Sequence, residues 1–373
     1  MSQHPKLAKI ICVTSGRSDM FIWLPVWRAL AACKNFDILI AKTGMHCATE
    51  TLNYDGELAD FDVVEFGFDL GGGTPHQAAK AMGKNVSAFG QLLMDHHPDA
   101  IFVLGDRMDM LPAVVASLPF NIRVIHLHGG EVSLGAVDDR IRHAVSMMSS
   151  LHFVAHDNAK TFLENLKIDQ QNIHVVGAPG LDNIMTVPVL SRDVVIEQLG
   201  LKTVKDFFVG TIHSETNSKE PLLTITQTIA AIKSMDEYTF IFTSSNSDPY
   251  GSIINKILRE TDEELENFHF LEALNYQQYV NLMRHSVAVI GNSSSGLIEA
   301  PFLGVRTLNI GERQRGRLAD KHVVHCLNDS DHIKAALNNL FINRHETGNA
   351  ASTLYGNGNA ADKIQTILES CFK

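Results

Sequence analysis

The residues best suited to proton transfer crowd into one third of the chain. Gly105-Asp106-Arg107 sets a carboxylate beside a guanidinium, and His126, His128, Gly129-Gly130 and Glu131 follow, then Asp138, Asp139, Arg140, Arg142 and His143. Four carboxyl groups, Asp106, Glu131, Asp138 and Asp139, near several imidazoles have the makings of an acid–base site. Mutual proximity drives carboxyl pKa values apart and yields one donor and one acceptor. Plainer uses compete: a local Asp106–Arg107 ion pair, a helix cap at Asp138 or Asp139, and packing for His126, which sits inside an apolar run. His128, beside Gly129, is the better placed imidazole. His126 and His128 alternate along a strand, but no HExxH-like pair completes a metal site, so no metal is expected.

A second group of residues suits anion binding. Gly16-Arg17-Ser18-Asp19 and Gly291-Asn292-Ser293-Ser294-Ser295-Gly296 each leave an apolar run and open an amphipathic one, which brings unpaired backbone N–H groups to a helix start. Neither is GxGxxG or a Walker loop. The serine loop makes a diphosphate seat, with Glu299 in the following helix offering two acceptor oxygens to a ribose. Arg313, Arg315 and Arg317 alternate after another apolar run, where guanidinium groups bind phosphate in bidentate fashion. His213 and Asn246 lie on further polar loops. The competing uses here are an ordinary capped turn, a serine N-cap and a solvated arginine run.

All these segments follow strands. Short β-branched runs alternate with amphipathic stretches: KIICVTS then MFIWLPVWRALAAC, AIFVLGD then MLPAVVASLPF, RVIHLHGGE then DDRIRHAVSMMSS, LHFVAH. Such alternation implies a parallel sheet covered on both faces. A Gly- and Pro-containing stretch, VVGAPGLDN, marks a hinge around 177–190, after which the alternation resumes from DFFVGTIHS to VRTLNIG. The expected architecture is α/β, two Rossmann-like domains facing a cleft, with residues 1–180 forming the first and 181–355 the second. Ligands of such sheets lie beyond the carboxyl ends of the strands, where the motifs fall.

Composition narrows the function. The chain has 373 residues, 45% of them hydrophobic, enough for two real cores. Its 31 Lys and Arg against 42 Asp and Glu give a formal charge of −11, so a nucleic-acid partner is not expected. Seven arginines nevertheless fall inside the strand-end motifs, so an acidic exterior surrounds arginine-lined loops that suit a small diphosphate. The five cysteines, Cys12, Cys33, Cys47, Cys326 and Cys371, are scattered without a zinc spacing, and reduced thiols in the cytoplasm are expected. No segment supplies about 18 uninterrupted apolar residues, so neither secretion nor membrane insertion is expected.

Taken together and in order, SGRSDM, GDRMDML, HLHGGEVSLGAVDDRIRHA, VGAPGLDNI, GNSSSGLIEAP and NIGERQRGRL resemble the hydrolysing UDP-N-acetylglucosamine 2-epimerase family over roughly residues 9 to 325. The resemblance implies two domains of the GT-B type, with a last helix, here within 356–373, crossing back to the first. It implies a UDP-sugar substrate, no cofactor, and a homo-oligomer, dimer or tetramer. It implies acid–base roles for Asp106 and Asp138 and a catalytic set of Asp106, His128, Glu131, Asp138, Asp139 and Arg142. The implied UDP-sugar-binding set is Arg17, Ser18, Arg107, His213, Asn246, Ser293, Ser294, Ser295, Glu299, Arg313 and Arg317. The family's reaction loses UDP and the C2 proton to give a glycal-like intermediate, then adds water to leave the manno configuration, for nonulosonic acids. UDP-N-acetylglucosamine and a UDP-2,4-diacetamido-2,4,6-trideoxyglucose-type sugar both remain open as substrates. A non-hydrolysing 2-epimerase, a GT-B glycosyltransferase and a UDP-sugar sensor are the competing functions. Many relatives carry Glu at the position of His128, which bears on the identity of the acid and the base.

Overall fold

The computed structural model describes residues 7–44, 55–67, 74–135, 137–201, 204–246, 249–272, 274–344 and 350–372. The chain forms two compact units, one of residues 1–132, 138–185 and 355–373 and one of residues 133–137 and 186–354.

The first unit is built on seven parallel strands, counted among the described residues. They are β1 (Ala8–Thr14), β2 (Phe36–Lys42), β3 (Asp62–Glu65), β4 (Ala100–Leu104), β5 (Arg123–Leu127), β6 (Leu151–Val154) and β7 (Ile173–Val175), in the order β3-β2-β1-β4-β5-β6-β7. β1 and β4 read as near-continuous apolar runs because both faces of the sheet are covered. On one face Ile10, Cys12, Ile38, Ile40 and Phe102 meet Trp23 and Trp27 of the helix Arg17–Ala32. Their alternates Ile11, Val13, Leu39, Ile101 and Val103 meet Phe89, Val114 and Val145 from three helices on the other. The period of two along each strand thus fills two cores.

The C-terminal helix Ala360–Cys371 joins the first of these cores through Ala360, Ala361, Ile364 and Leu368. Asp182 fixes its start, since its carboxylate accepts from the backbone N–H groups of Ala360 at 3.0 Å and Ala361 at 2.7 Å. Two donors that a helix start would otherwise leave unpaired are satisfied in this way.

In the second unit the strands are β8 (Phe207–Thr211), β9 (Thr239–Thr243), β10 (Phe268–Leu271), β11 (Ala288–Gly291), β12 (Thr307–Ile310) and β13 (Val323–Cys326), in the order β10-β9-β8-β11-β12-β13. Phe208, Phe240, Phe242, Ile290, Leu308 and Ile310 form its core with Ile225, Ile254 and Leu337 from the covering helices. Both sheets reverse strand order once, between β1 and β4 and between β8 and β11. Loops diverging at such a reversal open a crevice that binds ligands. Among the described residues no helix is long and apolar enough to cross a membrane.

Two strands have no counterpart in the sequence reading. β3 has no fully buried residue and β13 only one; both lie at a sheet edge, so neither carries the apolar run that marks an inner strand.

Candidate functional site

In the first unit the acid–base candidates collect at the ends of β4 and β5. β4 is followed by Gly105, at φ +67°, whose N–H donates to the carbonyl of Leu127 at 2.8 Å. This turn delivers Asp106 to the guanidinium of Arg142, which lies on the helix Asp138–Met148. Arg142 is buried, and its Nη1 also donates to the carbonyl of Glu131 at 2.8 Å. Glu131, 1% exposed, places Oε1 2.8 Å from Nδ1 of His128, itself 8% exposed. Asp106, Arg142, Glu131 and His128 therefore form one connected chain.

The backbone is bent to make that chain. His128 adopts φ +62° and Gly130 φ +77°; a left-handed conformation at a side-chain-bearing residue is uncommon and is retained where its surroundings enforce it. A Cβ on Gly130 would stand 2.4 Å from the carbonyl oxygen of Ala159, so only glycine fits. Chemically, Arg142 favours the ionised form of Asp106. Glu131 accepts the Nδ1 proton of His128 and so leaves the lone pair of that imidazole on Nε2.

Asp139 turns elsewhere, toward Nε2 of His143 at 3.4 Å. That ring stacks on Phe162 with centroids 4.4 Å apart, and burial lowers its pKa, with the Asp139 charge opposing. Asp138 lies one turn before Arg142, on the same helix face by its i, i+4 spacing. Arg107 pairs through Nε with Asp109 at 3.5 Å.

In the second unit the anion-binding candidates meet where β8 and β11 diverge. Gly291 ends β11 at φ +120°, and a Cβ there would lie 2.1 Å from the carbonyl oxygen of Thr211. That close approach seats Asn292, fully buried, against His213: Oδ1 accepts from the His213 N–H at 2.8 Å and Nδ2 donates to its carbonyl at 2.9 Å. The Asn292 carbonyl in turn accepts from Arg313 Nη1 at 3.2 Å and Gln314 Nε2 at 2.9 Å. Arg317 donates to Oε1 of Gln314 at 3.2 Å. Nδ1 of His213 accepts from the backbone N–H of Asn246 at 3.1 Å and lies 3.2 Å from Ser245 Oγ. His213, Arg313 and Gln314 thus meet on one buried asparagine, with Asn246 attached through His213 and Arg317 through Gln314.

The serine loop supplies the helix start. Ser294 is the N-cap of the helix Ser295–Phe302, yet its side chain makes no capping bond. The Ser293 hydroxyl accepts from the Ser295 N–H at 3.4 Å, and the Ser295 hydroxyl lies 2.6 Å from that of Tyr279. A helix start without its serine cap suits an anion. Glu299 follows one turn on, its pKa pushed up to about 7 by burial while Ser295 and Arg317 pull it down. Arg315 instead pairs with Glu312 at 3.2 Å on the exposed side of the turn. Arg17 and Ser18 open the helix Arg17–Ala32, and their side chains lie outside the described residues.

Three residues outside the sequence-derived set hold this arrangement together: Asn292, Gln314 and Glu215. Glu215, buried, accepts at Oε1 from the Glu312 N–H at 2.8 Å and from Thr224 Oγ1 at 3.1 Å, so the turn carrying the arginines is built on it. Asn292 sits inside the glycine–serine motif and Gln314 among the arginines, so their positions alone were the available signal.

Residues 28–369 match the family model described as UDP-N-acetylglucosamine 2-epimerase. A GDP/UDP-N,N'-diacetylbacillosamine 2-epimerase (hydrolyzing) of Campylobacter jejuni is 32% identical, covering 87% of this chain and 85% of that protein. A UDP-N,N'-diacetylbacillosamine 2-epimerase (hydrolyzing) of Legionella pneumophila is 30% identical over 98% of this chain and 96% of that protein. The fold is that of UDP-GlcNAc 2-epimerase from Neisseria meningitidis, a structure bound to UDP-GlcNAc, with a TM-score of 0.78 and 21% identity over 97% of this chain and 100% of that one.

Proposed function

The chain belongs to the UDP-N-acetylglucosamine 2-epimerase family, and from that premise we propose that it converts a UDP-linked 2-acetamido sugar and water into free UDP and the 2-epimeric manno sugar. It is an enzyme of the hydrolysing 2-epimerase type, as its relatives' names state, and a glycosyltransferase or a non-hydrolysing epimerase is not favoured. UDP-N,N'-diacetylbacillosamine is the first substrate to try, since it is named for both relatives, with UDP-N-acetylglucosamine as the comparison. The product serves nonulosonic acid biosynthesis. The reading also places the enzyme in the cytoplasm as a homo-oligomer, in keeping with the free thiols of Cys12, Cys33, Cys326 and Cys371; light scattering reports the assembly.

The observation that carries the reading is the connected chain from Asp106 through the buried Arg142 and Glu131 to His128. Inverting C2 takes a proton from one face and returns one to the other, which calls for two proton-transfer groups. His128, with its lone pair on Nε2, and Asp106, held as the carboxylate, are those groups. As the C2–H bond breaks, its electron pair forms the C1=C2 bond and the C1–O pair leaves with UDP. Water then adds its oxygen to C1 and gives its proton to the group on the opposite face, which passes it to C2, while the group that took the first proton releases it to solvent. Charge developing on the departing UDP is met by Arg313, Arg317, His213 and the N–H groups at the start of the helix Ser295–Phe302, and Glu299 accepts from the ribose hydroxyls.

Proton NMR in D2O tests the reaction. Free UDP should accumulate together with a manno product carrying deuterium at C2; a manno product with protium at C2 overturns the mechanism. Comparing kcat/KM for the two sugars then assigns the substrate.

Glu299 should also give a pH signature. Its folded-state pKa is raised to about 7, so the folded protein keeps a proton that the unfolded chain has already lost. Stability therefore falls as pH rises from the ordinary carboxylate range through about 7. Glu299→Gln removes that penalty and should raise Tm at pH 8 by a few degrees relative to wild type, roughly 2–4 °C per kcal/mol. In the same variant UDP binding should weaken about tenfold and lose its improvement between pH 6 and 8, roughly one charged hydrogen bond's worth. Calorimetry across that range checks both signs.

A further inference from the structure

His126 lies in an apolar strand, yet both its ring nitrogens bond to elements that carry reacting groups. The residue is fully buried. Nε2 lies 2.7 Å from the carbonyl oxygen of Gly105, the residue before Asp106. Nδ1 lies 3.0 Å from Oγ of Ser146, one helical turn beyond Arg142. A carbonyl oxygen only accepts, so Nε2 bears the proton, and in the neutral ring Nδ1 accepts from the Ser146 hydroxyl. Burial, with smaller contributions from His152, His128 and His143, lowers the pKa of His126 to about 3 against the opposing Gly105 bond. One neutral tautomer therefore persists at any pH where the enzyme works.

Gly129 closes over this pair of bonds. A Cβ at Gly129 would stand 2.8 Å from His126 Nδ1 and 2.9 Å from Ser146 Oγ. One ring thus touches the loop after β4, the loop after β5 and the helix Asp138–Met148, the three elements that present Asp106, His128 with Glu131, and Arg142.

We propose that His126 is a positioning residue for the epimerisation: by holding the Gly105 carbonyl on one nitrogen and Ser146 on the other, it sets the backbone that carries Asp106 against the helix that carries Arg142. The inference rests on the acid–base reading above. It assigns to a residue with the surroundings of a core histidine the geometry of the Asp106–Arg142 pair, where a displacement of about 1 Å costs roughly 100-fold in rate.

The side chains of Gln and Asn separate this role from packing. The Gln amide nitrogen reaches the place of Nε2 and keeps the bond to Gly105, whereas that of Asn reaches only the place of Nδ1. His126→Gln is expected to keep kcat within about fivefold of wild type, and His126→Asn and His126→Phe to lose about 100-fold with KM unchanged within about threefold. Ser146→Ala, which leaves the Gly105 bond in place, should lose about tenfold. Thermal melts accompany each measurement. His126→Phe with near wild-type kcat overturns the proposal. So does a His126→Gln no more active than His126→Asn at equal Tm, a comparison that stands even where the Phe variant does not fold. A wild-type enzyme that leaves protium at C2 overturns the acid–base reading itself, whereas near wild-type kcat in His126→Phe, with deuterium incorporated normally, overturns only the role of His126.

Discussion

Asp106→Asn is expected to lower kcat about 1000-fold while the Kd for UDP stays within about threefold of wild type, the range set by losing one positioned proton-transfer group. The substitution is nearly isosteric and keeps an oxygen that Arg142 can bond, so the loop need not move. What disappears is the charge and the basicity. Every residue assigned to UDP that the structure describes in the second unit, from His213 to Arg317, is untouched, so binding and turnover should separate. Single-turnover release of UDP, read beside calorimetric binding, is the measurement; a kcat within tenfold of wild type removes Asp106 from the chemistry. Restored turnover is not expected from raising pH, because a carboxamide does not ionise in that range and offers no base.

The inner strands were legible in the sequence because the physics that builds them leaves a strong mark. A strand buried on both faces must be apolar throughout, as Ile10 to Val13 and Ala100 to Leu104 are. β3 and β13 escaped the same reading for the converse reason. An edge strand with a wet face, such as Val323-Val324-His325-Cys326, has no run to notice. The position of the motifs after strands was legible because glycine and polar residues break the apolar runs that precede them.

Partner choice was much less legible. Asp106 and Arg107 are adjacent in sequence, but the ion pair joins Asp106 to Arg142 on another element. Arg313, Arg315 and Arg317 alternate, but the turn sends only the first and last to the Asn292–Gln314 cluster and leaves Arg315 on Glu312. Asn292 and Glu215 act through bonds to backbone groups distant in sequence, and a residue whose work is to satisfy the main chain has no spacing rule to betray it. His126 is the sharpest instance. Its apolar neighbours argue for packing, and they are indeed its neighbours, but the two polar atoms decide its role.

The same partner choice sets the largest stability effect. Arg142→Met should destabilise the protein by about 3 kcal/mol, the lower end of the range for breaking a buried ion pair. The lower end applies because the Asp106 side chain is 27% exposed and water can partly replace the guanidinium, while that of Arg142 is 3% exposed. The Glu131 carbonyl loses its donor as well, and the combined loss corresponds to a fall in Tm of about 10 °C for a domain of this size. Turnover should fall at least as far as in Asp106→Asn, because the same loss frees Glu131 and with it the orientation of His128. Arg142→Lys should lie between, since a single ammonium can meet Asp106 but not the carbonyl in the same geometry. The decisive comparison is the double variant. Adding Asp106→Asn to Arg142→Met removes the stranded carboxylate, so it should cost little further stability and can restore some of it. A coupling near zero in that cycle would show that the two residues act independently, and the acid–base chain would then have to be rebuilt without its central link.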